Sequence, residues 1–469
     1  MQISKCEFFI SEMWDNSILP CLMDYIRIPN KSPLFDPEWQ SHGYMDQAVK
    51  LITEWCQQNA IENMTMEVIR HEGRTPVIFI EIPGNSNDTI LLYGHLDKQP
   101  EMTGWEADLG PWKPVIKNNK LYGRGGADDG YAIFASLTAI KALHDQQIPH
   151  AHCVILIEAS EESGSPDLPY YMQTLEKRIG NPNLIICLDS GCGNYDQLWM
   201  TTSLRGLFSG NLHIDVLKEG VHSGLASGII PSCFLILRQL LDRIEDADTG
   251  HIILSDFHVE IPETRLKQLH ETAEVLGEQL FLTFPRYKNI KALSITPKEQ
   301  LINRTWRPAL SVIGMDGLPA TQDAGNVTLP LISVKLSMRL PPTCDAKIGA
   351  SKLKECLEKN PPFDASVRFD IAESGTGWNA PIEEEWLHKA AQHASENFFG
   401  KNAMYMGEGC SIPFMGMLGK KYPDAQFMIT GLLGPESNAH GPNEFLHIPA
   451  AKKLTCCVAQ VIAEHYHKT

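Results

Sequence analysis

The residues of this chain best suited to chemistry are two histidines and a set of carboxylates that stand just after apolar or glycine-rich runs. The run Thr89–Gly94 stops at His95, and Asp97 follows two residues on. Gly123-Arg124-Gly125-Gly126-Ala127 leads into Asp128-Asp129-Gly130, the run Cys153–Ala159 closes on Ser160-Glu161-Glu162, and Leu184–Leu188 ends on Asp189. Much later comes Asn438-Ala439-His440-Gly441. A zinc-like divalent ion is bound by imidazole nitrogen and carboxylate oxygen. Two such ions a few ångströms apart take about five protein ligands, one of them bridging. Taken singly, each stretch has a plainer account: a structural histidine, an Asp-Asp turn capping a helix, or a solvated Glu pair. The conjunction points to a metal centre. Asp97 fits a further role, since a metal-bound histidine commonly donates its other ring N–H to a carboxylate or carbonyl.

The elements that must position these residues follow from apolar spacing. Residues 89–95 predict a short buried strand, and ligands in open α/β sheets gather beyond the carboxyl ends of strands. Helical spacing covers 12–26, interrupted by Pro20, and 44–59. Strands are expected over 64–70, 75–82, 153–159 and 184–188, with a helix over 131–144. Strands alternating with helices predict an α/β domain. After Trp199 the pattern changes. Residues 200–216 alternate as antiparallel strands do, helices are expected over 231–244, 263–276 and 346–358, and strands over 292–296, 331–340 and 366–372. This block is expected to be a separate α+β domain inserted into the first, so that 1–203 and 376–469 form the catalytic domain and 204–375 the insertion.

Composition narrows the function. With 469 residues, 43% of them hydrophobic, the chain has material for two or three cored domains. A net charge of −17 leaves no basic excess for nucleic acid or an anionic membrane. No run approaches a membrane span and the first residues lack a secretory pattern. The twelve cysteines are scattered, mostly in apolar runs, which fits a reducing cytoplasm.

In order along the chain, Tyr93-Gly94-His95-Leu96-Asp97, Leu121-Tyr122-Gly123-Arg124-Gly125 with Asp128-Asp129-Gly130, Glu161-Glu162-Ser163-Gly164-Ser165, Asp189, His222-Ser223-Gly224 and His440 resemble the co-catalytic dinuclear zinc exopeptidases. That group includes carnosine-type dipeptidases, glutamate carboxypeptidase, aminoacylase, acetylornithine deacetylase and succinyl-diaminopimelate desuccinylase. The resemblance runs from about Leu91 to His440. It implies a catalytic domain built on a mixed sheet flanked by helices, with an inserted lid and dimerisation domain. It also implies that His95 and Asp189 hold one metal and Glu162 and His440 the other, with Asp128 bridging. Glu161 would be the general base, Asp97 would orient His95, and the Asp128-Asp129 peptide would be cis. Two zinc ions are expected; mixed His and carboxylate sites also accept manganese or cobalt.

The reaction implied is amide hydrolysis by a hydroxide bridging the two metals, with Glu161 moving the proton to the leaving amine. By the same resemblance His222, from the opposite subunit of a homodimer, and Asn326 would assist the oxyanion. Arg339 would clamp the substrate carboxylate in a bidentate fork. Gly407-Glu408-Gly409-Cys410-Ser411-Ile412-Pro413 resembles the Glu-Gly-Gly-Ser-Ile-Pro segment of carnosine-type dipeptidases, with Cys410 in place of a glycine. There Glu408 would receive a free amine and Ser411 would lie near the carboxylate. The expected activity is that of a metal-dependent exopeptidase acting on dipeptides or short peptides with a free carboxylate. The alternatives are an N-acyl amino acid deacylase of the same family and a non-catalytic metal-binding relative.

Overall fold

The computed structural model describes residues 1–468. The chain divides into two compact units, one comprising Met1–Thr201, Ala380–Met406 and Met417–Thr469, the other Thr202–Asn379 and Gly407–Gly416. The segment containing Glu408 and Ser411 therefore groups with the inserted unit.

In the first unit, unbroken apolar runs leave no face fit for water, and the strands Thr89–His95 and Leu184–Cys187 are buried throughout. They lie in a six-stranded sheet ordered Thr65–Ile69, Val77–Ile82, His152–Glu158, Thr89–His95, Leu184–Cys187, Gln426–Ile429. The last four run parallel, and the first two add an antiparallel edge. Parallel strands bring their carboxyl ends to one rim. In register, His95 lies across from Glu158 and Tyr93 across from Cys187, so the turns carrying Asp97, Glu161-Glu162 and Asp189 emerge side by side. One face of the sheet, including Ile80, Leu92, Ile155 and Ile186, packs in one core with residues such as Ile133, Leu137, Leu454 and Val458 of the helices Ala132–Asp145 and Ile448–Tyr466.

The second unit has a four-stranded antiparallel sheet ordered Ala309–Asp316, Leu331–Leu340, Gly206–Asp215, Ser366–Gly375. Along Leu331–Leu340 every second residue is buried, as the alternating sequence predicts. Its core joins Phe208, Leu212, Val334 and Leu336 to Ile236 and Leu353 of the helices Cys233–Leu241 and Ala346–Glu358.

Three local expectations change. Pro20 does not break the first helical stretch: it stands in the first turn of Leu19–Ile26, directly after a π-helical turn over Trp14–Ile18. Met13, Trp14, Ile18 and Leu19 keep helical backbone angles and the Leu19 N–H reaches the Trp14 carbonyl, so the helix continues through a widened turn that accommodates the proline. The strand expected over 292–296 is absent, and Leu293 and Ile295 are 84% and 98% exposed. Thr296 instead caps the helix Pro297–Thr305, its side chain accepting from the Glu299 N–H, which draws the segment out of any sheet. The strand Ala309–Asp316 was not expected; as an edge strand with mostly exposed residues it carries no inward-facing apolar stripe. Among the described residues no helix is long and apolar enough to cross a membrane.

Ile155, fully buried on a central strand, tests this core. Ile155→Ala is expected to lower unfolding free energy by about 2–5 kcal/mol. Urea titration should show a lower midpoint with an unchanged slope.

Candidate metal centre

His95 is the last residue of its strand, and the backbone beyond it is pinned from several sides. The Leu96 N–H donates to the Glu158 carbonyl at 2.9 Å, and the Leu96 carbonyl accepts from the Tyr25 hydroxyl at 2.6 Å and from Asn30 Nδ2 at 2.5 Å. The fully buried Lys98 ammonium donates to the carbonyls of Tyr25 and Ile28 at 2.7 and 2.8 Å. Asp97, expected to hold His95 from behind, does so in two ways. Its backbone carbonyl lies 3.1 Å and its carboxylate 3.5 Å from His95 Nδ1. The same carboxylate accepts the backbone N–H groups of Glu161 and Glu162 at 3.1 and 3.0 Å, fixing that turn as well.

Asp128 follows a turn in which Gly125 has φ +76°, and its peptide bond to Asp129 is cis. Asp129 Oδ2 accepts from the His95 N–H at 3.3 Å. A Cβ on Gly94 would come within 2.8 Å of that oxygen, which is why glycine precedes the histidine. Asp128 Oδ1 lies 3.6 Å from His95 Nε2, and Oδ2 lies 3.0 Å from His440 Nε2. Asp189 Oδ2 is 3.7 Å from His95 Nε2, while Glu162 Oε2 is 3.3 Å from His440 Nε2 and accepts from Gln99 Nε2 at 2.6 Å. Two groups result, His95 with Asp128 and Asp189, and Asp128 with Glu162 and His440; within each, one donor atom per residue lies within 4.8 Å of the others. Asp128 belongs to both.

The donors fit divalent ions. His95 Nε2, Asp128 Oδ2 and Glu162 Oε1 are buried without a hydrogen-bond partner, an arrangement that costs several kcal/mol unless a cation satisfies it. Burial and neighbouring charge push the Glu162 carboxyl well above its ordinary range, with Asp128 the foremost neighbour, and the Asp189 carboxyl rises to about 6 for similar reasons. Asp128 runs the other way. Burial opposes its charge, yet the neighbouring His440 and His95 imidazoles hold its carboxyl well below the usual range. Glu161, in the same turn as Glu162 but in neither donor group, has its carboxyl pushed up by burial and then by Asp189.

His440 needs its own support because it stands in a loop, with φ +65° and a side chain 55% exposed. That support is a buried ion pair missed in the sequence. Arg124 and Glu444, 1% and 0% exposed, meet at 2.6 Å. Arg124 Nη2 also donates to the Gly441 carbonyl at 2.7 Å, and Glu444 Oε1 accepts the Gly125 N–H at 3.0 Å. The pair thus ties the backbone beside His440 to the turn before Asp128. A charged residue among glycines was the only trace of it in the sequence.

The expected substrate residues form two groups within the inserted unit. His222 is exposed and pairs in register with Val327, and the Ser223 N–H donates to the Asn326 carbonyl at 2.9 Å, so His222 and Asn326 are brought together. Arg339 Nη1 donates to Ser411 Oγ at 3.3 Å, and Ser411 donates to the Arg205 carbonyl at 2.5 Å. Glu408 is buried, with Oε2 held by Arg304 at 3.0 Å and Oε1 unpartnered. Arg205 and Arg304 were not anticipated; their partners lie about a hundred residues or more away along the chain.

A model of peptidase family M20/M25/M40 matches residues 91–464. The chain belongs to that family. Its relatives include the cysteinylglycine-S-conjugate dipeptidase of Corynebacterium striatum, 26% identical over 84% of this chain and 86% of that one. Another is the beta-Ala-His dipeptidase of Mus musculus, 24% identical over 79% and 75%. The structure of the Saccharomyces cerevisiae dipeptidase Dug1p superposes with a TM-score of 0.76 at 21% identity, covering 100% of this chain and 99% of that one, and so shares the fold. As an M20/M25/M40 peptidase the protein is a metallo-exopeptidase, a hydrolase of peptide bonds, and its candidate ligands are the two groups around Asp128.

Glu444→Gln leaves Arg124 buried without its counter-charge. It is expected to cost about 3–5 kcal/mol of stability, read by denaturant titration. Loosening the backbone beside His440 should also weaken metal binding about 10- to 100-fold, read by competition with a chromophoric chelator.

Proposed function

We propose that this M20/M25/M40 peptidase is a dipeptidase working with two divalent ions, zinc or manganese in kind, bridged by Asp128. The observation that carries the reading is the pair of donor groups sharing Asp128, with buried nitrogen and oxygen atoms left open between them. His95 and Asp189 would hold one ion, Glu162 and His440 the other. Bound there, the ions would acidify a water and polarise the scissile carbonyl.

The protein's own groups do the rest. Glu161 takes the proton of the attacking water and returns it to the leaving amine, a task suited to a carboxyl whose proton affinity burial has raised. Asp97 keeps Glu161 and Glu162 in place by holding both their backbone N–H groups. Arg339 and Ser411 receive the substrate carboxylate, and the open Oε1 of Glu408 accepts the free amine. His222, with Asn326 beside it, donates to the carbonyl oxygen as negative charge builds. The family's use of a partner histidine for that role supports a homodimer through the inserted unit. Leu225 and Ile229, close to His222 in sequence, are 77% and 79% exposed and would be covered in such a dimer. Twelve cysteines, none in a disulfide among the described residues, support a reducing cytoplasm as its compartment. The pairing of Glu408 with Arg304 gives an N-acyl amino acid deacylase its one support, because a carboxylate already paired has less need of an ammonium.

Unblocked dipeptides, including β-alanyl ones, should be hydrolysed in preference to matched N-acetyl and N-succinyl amino acids. Chelation should abolish the activity, and zinc or manganese should restore it; cleavage of the acylated set instead would establish the deacylase. Glu161→Gln is expected to retain both metals and lose about 10²- to 10⁴-fold in kcat, and activity surviving that change would remove Glu161 as the base. His222→Ala should keep its metal content and lose about 10²-fold or more in turnover. Full activity of a monomer at high dilution would remove the partner's role.

A further inference from the structure

The inserted unit gathers more positive charge around Glu408 than binding one substrate carboxylate requires. Arg304 is committed to Glu408 at 3.0 Å. Arg205 and Arg339 have no carboxylate partner among the described residues, although Arg205 is largely enclosed. Arg205 spends Nε on the Gly409 carbonyl at 3.2 Å and Nη1 on the carbonyls of Asn303 and Arg307, each at 3.4 Å. Carbonyls satisfy N–H groups but do not neutralise a charge. A Cβ on Gly409 would lie 3.4 Å from Arg205 Nη2 and 3.1 Å from the Arg304 carbonyl, so the backbone after Glu408 is closely packed against both arginines. Ser411 ties the Arg339 guanidinium to the backbone of Arg205, accepting from Arg339 Nη1 and donating to the Arg205 carbonyl.

Like charges repel, and the Arg205 pKa falls to about 10, first through burial and then through the charges of Arg339 and Arg304. A purely structural cluster would be more stable with one of these charges removed or paired. With Nε and Nη1 of Arg205 spent on carbonyls, its Nη2 remains to meet an anion, as does the guanidinium of Arg339, and a ligand with two carboxylates would compensate both charges.

We infer that Arg205 and Arg339 form a dicarboxylate subsite, so that the preferred dipeptides carry aspartate or glutamate at the carboxyl end. The inference rests on the dipeptidase reading for the placement of the substrate's carboxyl end at Arg339 and Ser411. Arg339 takes the main-chain carboxylate and Arg205 the side-chain one. Arg304 stays on Glu408, so that this carboxylate remains ionised and its open Oε1 can meet an amine. No covalent step is added; the subsite sets which peptide the enzyme favours.

Acid and amide isosteres separate charge recognition from shape. On the metal-loaded enzyme, kcat/KM for Ala-Glu is compared with Ala-Gln and for Ala-Asp with Ala-Asn, and calorimetry compares binding of free L-glutamate with L-glutamine. The acidic member of each pair is expected to win by about 10- to 100-fold, as charged hydrogen-bond partners commonly do. In Arg205→Gln each ratio should fall toward one. Ratios near one in the unaltered enzyme, or ratios that persist in a folded Arg205→Gln enzyme, would overturn the subsite. If that variant does not fold, the ratios of the unaltered enzyme decide. Glutamate binding that exceeds glutamine binding while no dipeptide is cleaved would support the subsite and sink the dipeptidase reading.

Discussion

Negative charge is crowded at the carboxyl rim of the parallel sheet more densely than burial permits without cations, and much of the first unit serves to hold it there. Carboxylates in a low-dielectric interior either find partners or give up their charge. Asp97 has found partners in two backbone N–H groups, and Glu444 has Arg124. Within the two donor groups, what stays open is His95 Nε2 together with oxygens of Asp128 and Glu162, and Asp128 is common to both groups.

The two units divide the chemistry by sign. The first presents carboxylates and imidazoles on rigid strand ends, where a short turn leaves little freedom to drift. The second presents guanidiniums, built from residues distant in sequence: Arg205 just before the strand Gly206–Asp215, Arg304 in the helix Pro297–Thr305 and Arg339 on Leu331–Leu340.

His95 and Asp189 were legible because unbroken apolar runs end on them, a pattern that parallel strands produce by burying both faces. His440 was not legible from periodicity. It stands in a loop of positive φ, was a candidate only as a second imidazole to complete the ligand set, and received its place beside Glu162 through family resemblance. Gln99 and the Arg124–Glu444 pair escaped notice because their partners lie 63 and 320 residues away, and nothing local distinguishes such a residue from a surface one. The strand expected over 292–296 failed because two alternating apolar residues, Leu293 and Ile295, do not outweigh a threonine poised to cap the next helix. Ala309–Asp316 escaped because an exposed edge strand needs no alternation. Arg205 and Arg304 escaped for the same reason as Arg124: a contact between distant residues leaves no trace in local spacing.

The pairing of Leu184–Cys187 with Gln426–Ile429 bears on how the protein is made. About 240 residues separate the two strands, which at about 5–20 residues per second keeps the ribosome busy for tens of seconds. During that interval the inserted unit is still being made, and the sheet of the first unit has an open flank of buried-type residues with free backbone groups. A newborn chain is then at its most adhesive. Its yield in a cell should depend more on chaperone cover in that window than on the stability of the finished fold.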